Sequence, residues 1–165
     1  MAAWFSTGQG SVSSLRHTRY QAAVLRDEAI LLLRCAFRSG PTVWILPGGG
    51  REEGEDESTC VAREVLEETG LTVRVDHLLS DVPAEPPDGT YVRWRTYQCS
   101  VLGGEAAPGG GEGANAELVA VAWLPMQDAD AWPDEIRADP FLYPQLRAIR
   151  SAVRGHGWGS DLPAV

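Results

Sequence analysis

Apolar and polar positions along the first half of the chain follow the spacing of strands. Arg19 to Leu25 and Ala29 to Phe37 are apolar runs separated by Arg26-Asp27-Glu28, which predicts two strands joined by a tight turn. Thr42 to Leu46 is a third, shorter run that ends in Pro47-Gly48-Gly49-Gly50. Beyond an acidic stretch the period changes, and from about Asp56 to Thr69 the pattern is helical, stopped by Gly70. Leu71 to Val82 and Thr90 to Leu102 are again strand-like, separated by the turn-rich Pro83 to Gly89, and Gly103 to Asn115 reads as a flexible loop. Glu117 to Leu124 predicts another strand, and Pro125 to Trp132 a short helix opened by its proline. Between Pro140 and Val153, Leu142, Leu146, Ile149 and Val153 recur at spacings of four, three and four, the stripe of an amphipathic helix that covers a sheet.

The order β, β, β, α, β, β, β, α predicts an α/β fold, a mixed sheet with helices on its faces. A chain of 165 residues suits one compact core, so a single domain is expected over residues 18–154, with a flexible N-terminal segment at 1–17 and a tail at 155–165. There is no internal repeat, and the glycine-rich loop is flanked by strands that one sheet can contain.

Composition narrows the functional classes. The hydrophobic fraction of 44% is ordinary, and no apolar run approaches the roughly 20 residues a membrane span needs, so no membrane partner is expected. Met1 to Gly10 lacks a basic start followed by an apolar stretch, which argues against a secretory signal and for a cytoplasmic protein. Cys35, Cys60 and Cys99 are odd in number and have no Cys-x-x-Cys spacing, which disfavours both a disulfide framework and a structural zinc site. The formal net charge of −9 opposes stable binding to nucleic acid and makes a divalent cation the more natural partner. Lysine is absent, so arginine carries all of the basic charge.

The informative segment is Gly49 to Leu71, GGREEGEDESTCVAREVLEETGL. On a helix at about 100° per residue, Glu64, Glu67 and Glu68 fall within an arc of roughly 100°, and Val61, Ala62, Val65 and Leu66 occupy a neighbouring arc of about 140° that can pack on a sheet. Three close glutamates repel one another, and an oxygen-rich cluster of this kind suits Mg²⁺ or Mn²⁺. Taken alone, an acidic helix face is usually a solvated one. The preceding Pro47-Gly48-Gly49-Gly50 changes the odds, because glycines let the backbone approach a ligand closely and offer carbonyl oxygens to a metal.

The segment resembles the Nudix box: Gly, five residues, Glu, seven residues, Arg-Glu, an aliphatic residue, any residue, Glu-Glu, any residue, Gly, and an aliphatic residue. Gly49, Glu55, Arg63, Glu64, Val65, Glu67, Glu68, Gly70 and Leu71 fill every fixed position. The resemblance implies an α/β/α sandwich with the box as loop–helix–loop. It implies metal-dependent hydrolysis of a pyrophosphate linkage in a small-molecule nucleotide. Glu64, Glu67 and Glu68 would bind the metal, with the Gly49 carbonyl as a further ligand. Arg63 would sit off the carboxylate face and pair with Glu55 as a structural link between loop and helix. Glu52 and Glu53 read as solvent-exposed acids.

Outside the box the sequence says less. Glu117, after the glycine-rich loop and six residues before Trp123, is the candidate general base. Arg34, late in the second strand, Arg93 and Arg95, which alternate with Trp94, and Trp44 are candidate substrate contacts; alternate strand residues point to opposite faces, so they cannot all line one pocket. Pro86 and Pro87 look like a mark of ADP-ribose pyrophosphatases, whereas the small size resembles MutT-like triphosphate hydrolases. Nucleoside triphosphate and ADP-ribose are both open as substrates. The alternative class is a catalytically inactive Nudix-fold sensor, which the intact box disfavours. Family members are often dimers, so a homodimer is carried as an open expectation.

Overall fold

The computed structural model describes residues 18–38, 40–84, 91–109 and 116–156. Strands β1 (Arg19–Arg26) and β2 (Ala29–Phe37) form a hairpin over Asp27 and Glu28, both at positive φ (49° and 58°), as a two-residue hairpin turn requires. β3 (Thr42–Ile45) pairs with β2, and the two-residue β4 (Gly48–Gly49) pairs with β1. Helix α1 (Glu57–Thr69) is followed by β5 (Thr72–Pro83), β6 (Arg93–Gly103) and β7 (Ala116–Pro125). A 3₁₀ turn at Ala129–Ala131, the short α2 (Asp134–Arg137) and α3 (Leu142–His156) follow. The sheet runs β3-β2-β1-β6-β5, with β7 on the other edge of β2. β1 and β6 are parallel and the remaining pairs antiparallel, which makes the sheet mixed.

Strand alternation sends successive residues to two helical layers. Ala22, Val24, Leu31, Tyr97 and Cys99 pack with Cys60, Val61 and Val65 of α1. On the other face Ala23, Ile30, Leu32 and Leu124 pack with Leu142, Leu146, Ile149 and Val153 of α3. Each fully buried aliphatic side chain contributes about 1.5–3 kcal/mol. All three cysteines are buried and free. Among the described residues no helix is long and apolar enough to cross a membrane.

β1 meets β2 only beside the turn, at Leu25–Ile30 and Arg26–Ala29, while its opening residues Tyr20 and Gln21 pair with Gly49 and Gly48. The hairpin strands therefore splay, and β4 lines the resulting cleft.

Two expectations are corrected. Pro125 ends β7 instead of opening a helix; the next turn starts at Asp128, whose carboxylate caps the Asp130 N–H, and Met126 N–H bonds back to the Glu28 carbonyl. Leu66 is 52% exposed, and Cys60 and Thr69 take its place in the buried arc. Pro86, Pro87 and the second half of the glycine-rich loop lie outside the described residues, as do 1–17 and most of the tail.

Candidate active site

Helix α1 is fixed at both ends. The Asp56 carboxylate accepts the Thr59 N–H at 2.7 Å, and Gly70, at φ 73°, closes the helix with its N–H on the Leu66 carbonyl. Two further carbonyls at that end, of Glu68 and Thr69, accept N–H bonds from Gly109 and Ala107 of the loop after β6. Around the helix, at 100° per residue, Glu64 and Glu68 fall between Cys60 and Val61, inside the buried arc instead of beside it. The helix thus drives two carboxylates into the structure where β1 and β2 splay.

Glu68 accepts the Gly48 N–H at 2.8 Å, and burial pushes its carboxyl up to about 7. Gly49 lies against Glu64 so closely that a Cβ there would stand 2.3 Å from Oε1. Arg63 binds Glu55 through two parallel bonds, of 2.8 and 3.0 Å, and Nη2 also donates to the Gly50 carbonyl. The Arg63 guanidinium holds the Glu55 carboxyl down at about 2. Contrary to the expectation that Arg63 stays off the carboxylate face, its Nη1 reaches Glu64 at 3.0 Å and Glu67 at 3.2 Å. Three methylenes and a guanidinium are long enough to return to that face.

These distances bring the glycine loop, Glu55, Arg63, Glu64, Glu67 and Glu68 together. The NUDIX domain model matches residues 16–144. The chain belongs to the Nudix hydrolase family. A MutT-like protein of Streptomyces ambofaciens is 33% identical over 173 aligned positions, covering 99% of both chains. An 8-oxo-(d)GTP phosphatase of Mycolicibacterium smegmatis is 34% identical over 106 residues, 64% of this chain and 28% of that one. The chain likewise spans only 35% of a nudix relative from Caenorhabditis elegans. Among solved structures, an ADP-ribose pyrophosphatase of Streptococcus suis superposes with a TM-score of 0.63 at 24% identity over 87% of this chain and 96% of that one, which shows a common fold.

The candidate contacts outside the box distribute differently from expectation. Arg95 and Tyr97, on the α1 face of β6, both donate to Glu57 in the first turn of the Nudix helix, Arg95 at 2.7 Å. Arg93 is held by Asp81 of β5. Both arginines are thereby engaged in fastening the sheet to itself and to the helix. Arg34 and Trp44 face each other across β2 and β3 on the opposite face, the guanidinium 5.2 Å from the ring centroid, and both donate to Glu135 of α2. Trp44 stands at an open pocket of about 560 Å³ that Trp132, Asp128, Pro133 and Glu135 also help to line, and Arg34 is not among its lining residues. Glu117 is exposed on β7, opposite Ala36 of β2.

Sequence reasoning missed Glu57, Trp132 and Glu135, and it did not foresee the bond from Tyr97 to Glu57. Glu57 and Tyr97 are 40 positions apart and meet only through the sheet. Trp132 and Glu135 fell near a helix whose start was misplaced.

Proposed function

We propose that this Nudix hydrolase cleaves the phosphoanhydride chain of a purine nucleoside triphosphate. Mg²⁺ or Mn²⁺ would be held by Glu64, Glu67, Glu68 and the Gly49 carbonyl, and the base by the Trp44–Trp132 pocket. The observation that carries the reading is that one short stretch of chain serves both ends: Trp44 lines the aromatic pocket, and Gly48, just beyond it, donates its N–H to Glu68 at 2.8 Å. A nucleotide fits that arrangement with its base on one side and its phosphates on the other.

The donor set suits a hard cation. Among the described residues no three carboxyl, imidazole or thiol groups converge into a ready-made cage, and Mg²⁺ does not need one, since one or two carboxylates, waters and substrate phosphates complete its octahedron. Glu68 is desolvated when ionised, so a cation against it relieves the cost of burial. Bound there, the cation would neutralise the phosphate oxygens and acidify an attacking water. Arg63 holds Glu64 and Glu67 to one another, and Glu55 holds Arg63. In the pocket, indole faces stack a base. The half-exposed Glu135 carboxylate accepts N–H donors, and a guanine-type edge offers two side by side. The 8-oxo-(d)GTP phosphatase among the relatives supports the same class.

The test is a panel with Mg²⁺ or Mn²⁺: canonical and oxidised nucleoside triphosphates, ADP-ribose, sugar nucleotides and dinucleoside polyphosphates, with products identified. Guanine-type triphosphates should give the highest kcat/KM, and Glu68→Gln should lose at least about tenfold in turnover. A higher kcat/KM for ADP-ribose than for every triphosphate would overturn the substrate assignment. Nucleotide binding with no cleavage of any compound would make the chain a sensor.

A further inference from the structure

We infer that Arg19 is the side chain that grips the substrate's phosphates in this site. The inference rests on the phosphoanhydride reading above and adds to it a residue that lies outside the box and outside the base pocket.

Arg19 opens β1, and the two residues after it, Tyr20 and Gln21, pair with Gly49 and Gly48. It therefore stands level with the glycine loop, at the mouth of the cleft where β1 and β2 splay. Its Nη2 donates to the Leu46 carbonyl at 3.1 Å, two residues before the glycines, and its guanidinium lies 5.8 Å from the centroid of the Tyr91 ring. Among the described residues these two contacts set its direction and use one of the five N–H donors a guanidinium carries.

Six of the other arginines are committed to carboxylates, while Arg26, Arg51 and Arg147 lie over the Trp123, Tyr20 and Tyr143 rings and Arg150 and Arg154 donate to backbone carbonyls. Arg34, Arg63, Arg74, Arg93, Arg95 and Arg137 each pair with a carboxylate, whereas among the described residues no carboxylate lies within 4.0 Å of Arg19. It is half-buried, with donors to spare, and close enough to Glu68 for its charge to oppose the effect of burial on that carboxyl. A net charge of −9 makes such a cation valuable to a polyanionic substrate. Arginine's planar fork matches phosphate oxygens in pairs.

The competing role is structural: Arg19 would only hold the Leu46 carbonyl and so the Pro47–Gly48 turn. The two roles predict opposite behaviour toward metal and phosphate. As a phosphate grip, Arg19 opposes cation binding in the absence of nucleotide, because its positive charge sits near Glu68. As a buttress, it supports the loop that lies against Glu64 and Glu68, and its loss weakens everything together.

The probes are Mn²⁺ alone, followed by electron paramagnetic resonance, and imidodiphosphate at fixed Mn²⁺, followed by calorimetry, on the wild type, Arg19→Gln and Arg19→Lys. Arg19→Gln should weaken imidodiphosphate at least about tenfold and leave Mn²⁺ binding as tight or tighter, since a charged bidentate contact is lost. Arg19→Lys should recover part of the loss, as a point charge without the fork. With the nucleotide that the panel selects, KM should rise more than kcat falls. Unchanged imidodiphosphate affinity, or Mn²⁺ affinity and thermal stability falling in step with it, would overturn the assignment and leave Arg19 a buttress. A wild-type chain that binds neither probe would overturn the phosphoanhydride reading as well.

Discussion

Arg63 divides one guanidinium among Glu55, Glu64 and Glu67, and the division is unequal. Glu55 takes the bidentate share, so it is the partner whose titration carries the link between loop and helix. Its carboxyl ionises at about 2 in the folded chain against an ordinary value of 4.5. The unfolded chain therefore takes up the proton more readily, and stability conferred by the pair is fully present above about pH 5 and is lost as pH falls toward 2. Urea unfolding of the metal-free protein at pH 7, 5 and 3 should show a steep acid limb that Glu55→Gln flattens. Parallel loss in both proteins would remove the pair from the acid response. At this scale the box was legible because its spacing is local to one helix. Arg93 and Arg95 stayed open in the sequence because an arginine next to aromatics looks the same there whether it awaits a phosphate or already holds Asp81 and Glu57.

The elements around the site show where pattern reading works and where it stops. α1 was legible from both ends, since Asp56 caps it and Gly70 closes it with a left-handed residue. β4 was not, because a two-residue Gly-Gly strand has no hydrophobic period to detect, and the splay of β1 from β2 depends on it. The two glycines of β4 carry different duties, which substitution separates. At Gly48, with φ 149°, a Cβ would stand 2.3 Å from the Tyr20 carbonyl oxygen, a backbone atom that cannot step aside. Gly48→Ala should therefore destabilise the fold by about 1–3 kcal/mol. At Gly49 the obstruction is the end of the Glu64 side chain, which can rotate away. Gly49→Ala should melt near the parent temperature yet need at least about tenfold more Mg²⁺ for half-maximal activity, the scale expected when a metal ligand is mispositioned. An ordinary Mg²⁺ requirement in Gly49→Ala would show that Glu64 is not a ligand.

Across the whole molecule the two helical layers share one sheet, and β1 belongs to both. Ala22 and Val24 face α1 while Ala23 between them faces α3, and Gln21 is hydrogen-bonded to Thr96 of β6 and Gln145 of α3. The same strand presents Arg19 and Tyr20 at the cleft. Damage to the α3 layer should consequently reach the box carboxylates only by unfolding the domain, not by loosening it piecemeal. Leu146 tests this, being fully buried against the face opposite the box carboxylates. Leu146→Ala should cost about 2–5 kcal/mol, from lost burial and the cavity left behind. At 20 °C, well below its lowered melting temperature, turnover at saturating substrate should stay within about twofold of the parent, because the box helix packs on the other face of the sheet. On heating, tryptophan fluorescence and residual activity should fall at one common midpoint, the signature of a single cooperative unit. Activity that survives past the fluorescence transition would mean that α3 comes away alone and that β1 does not couple the layers.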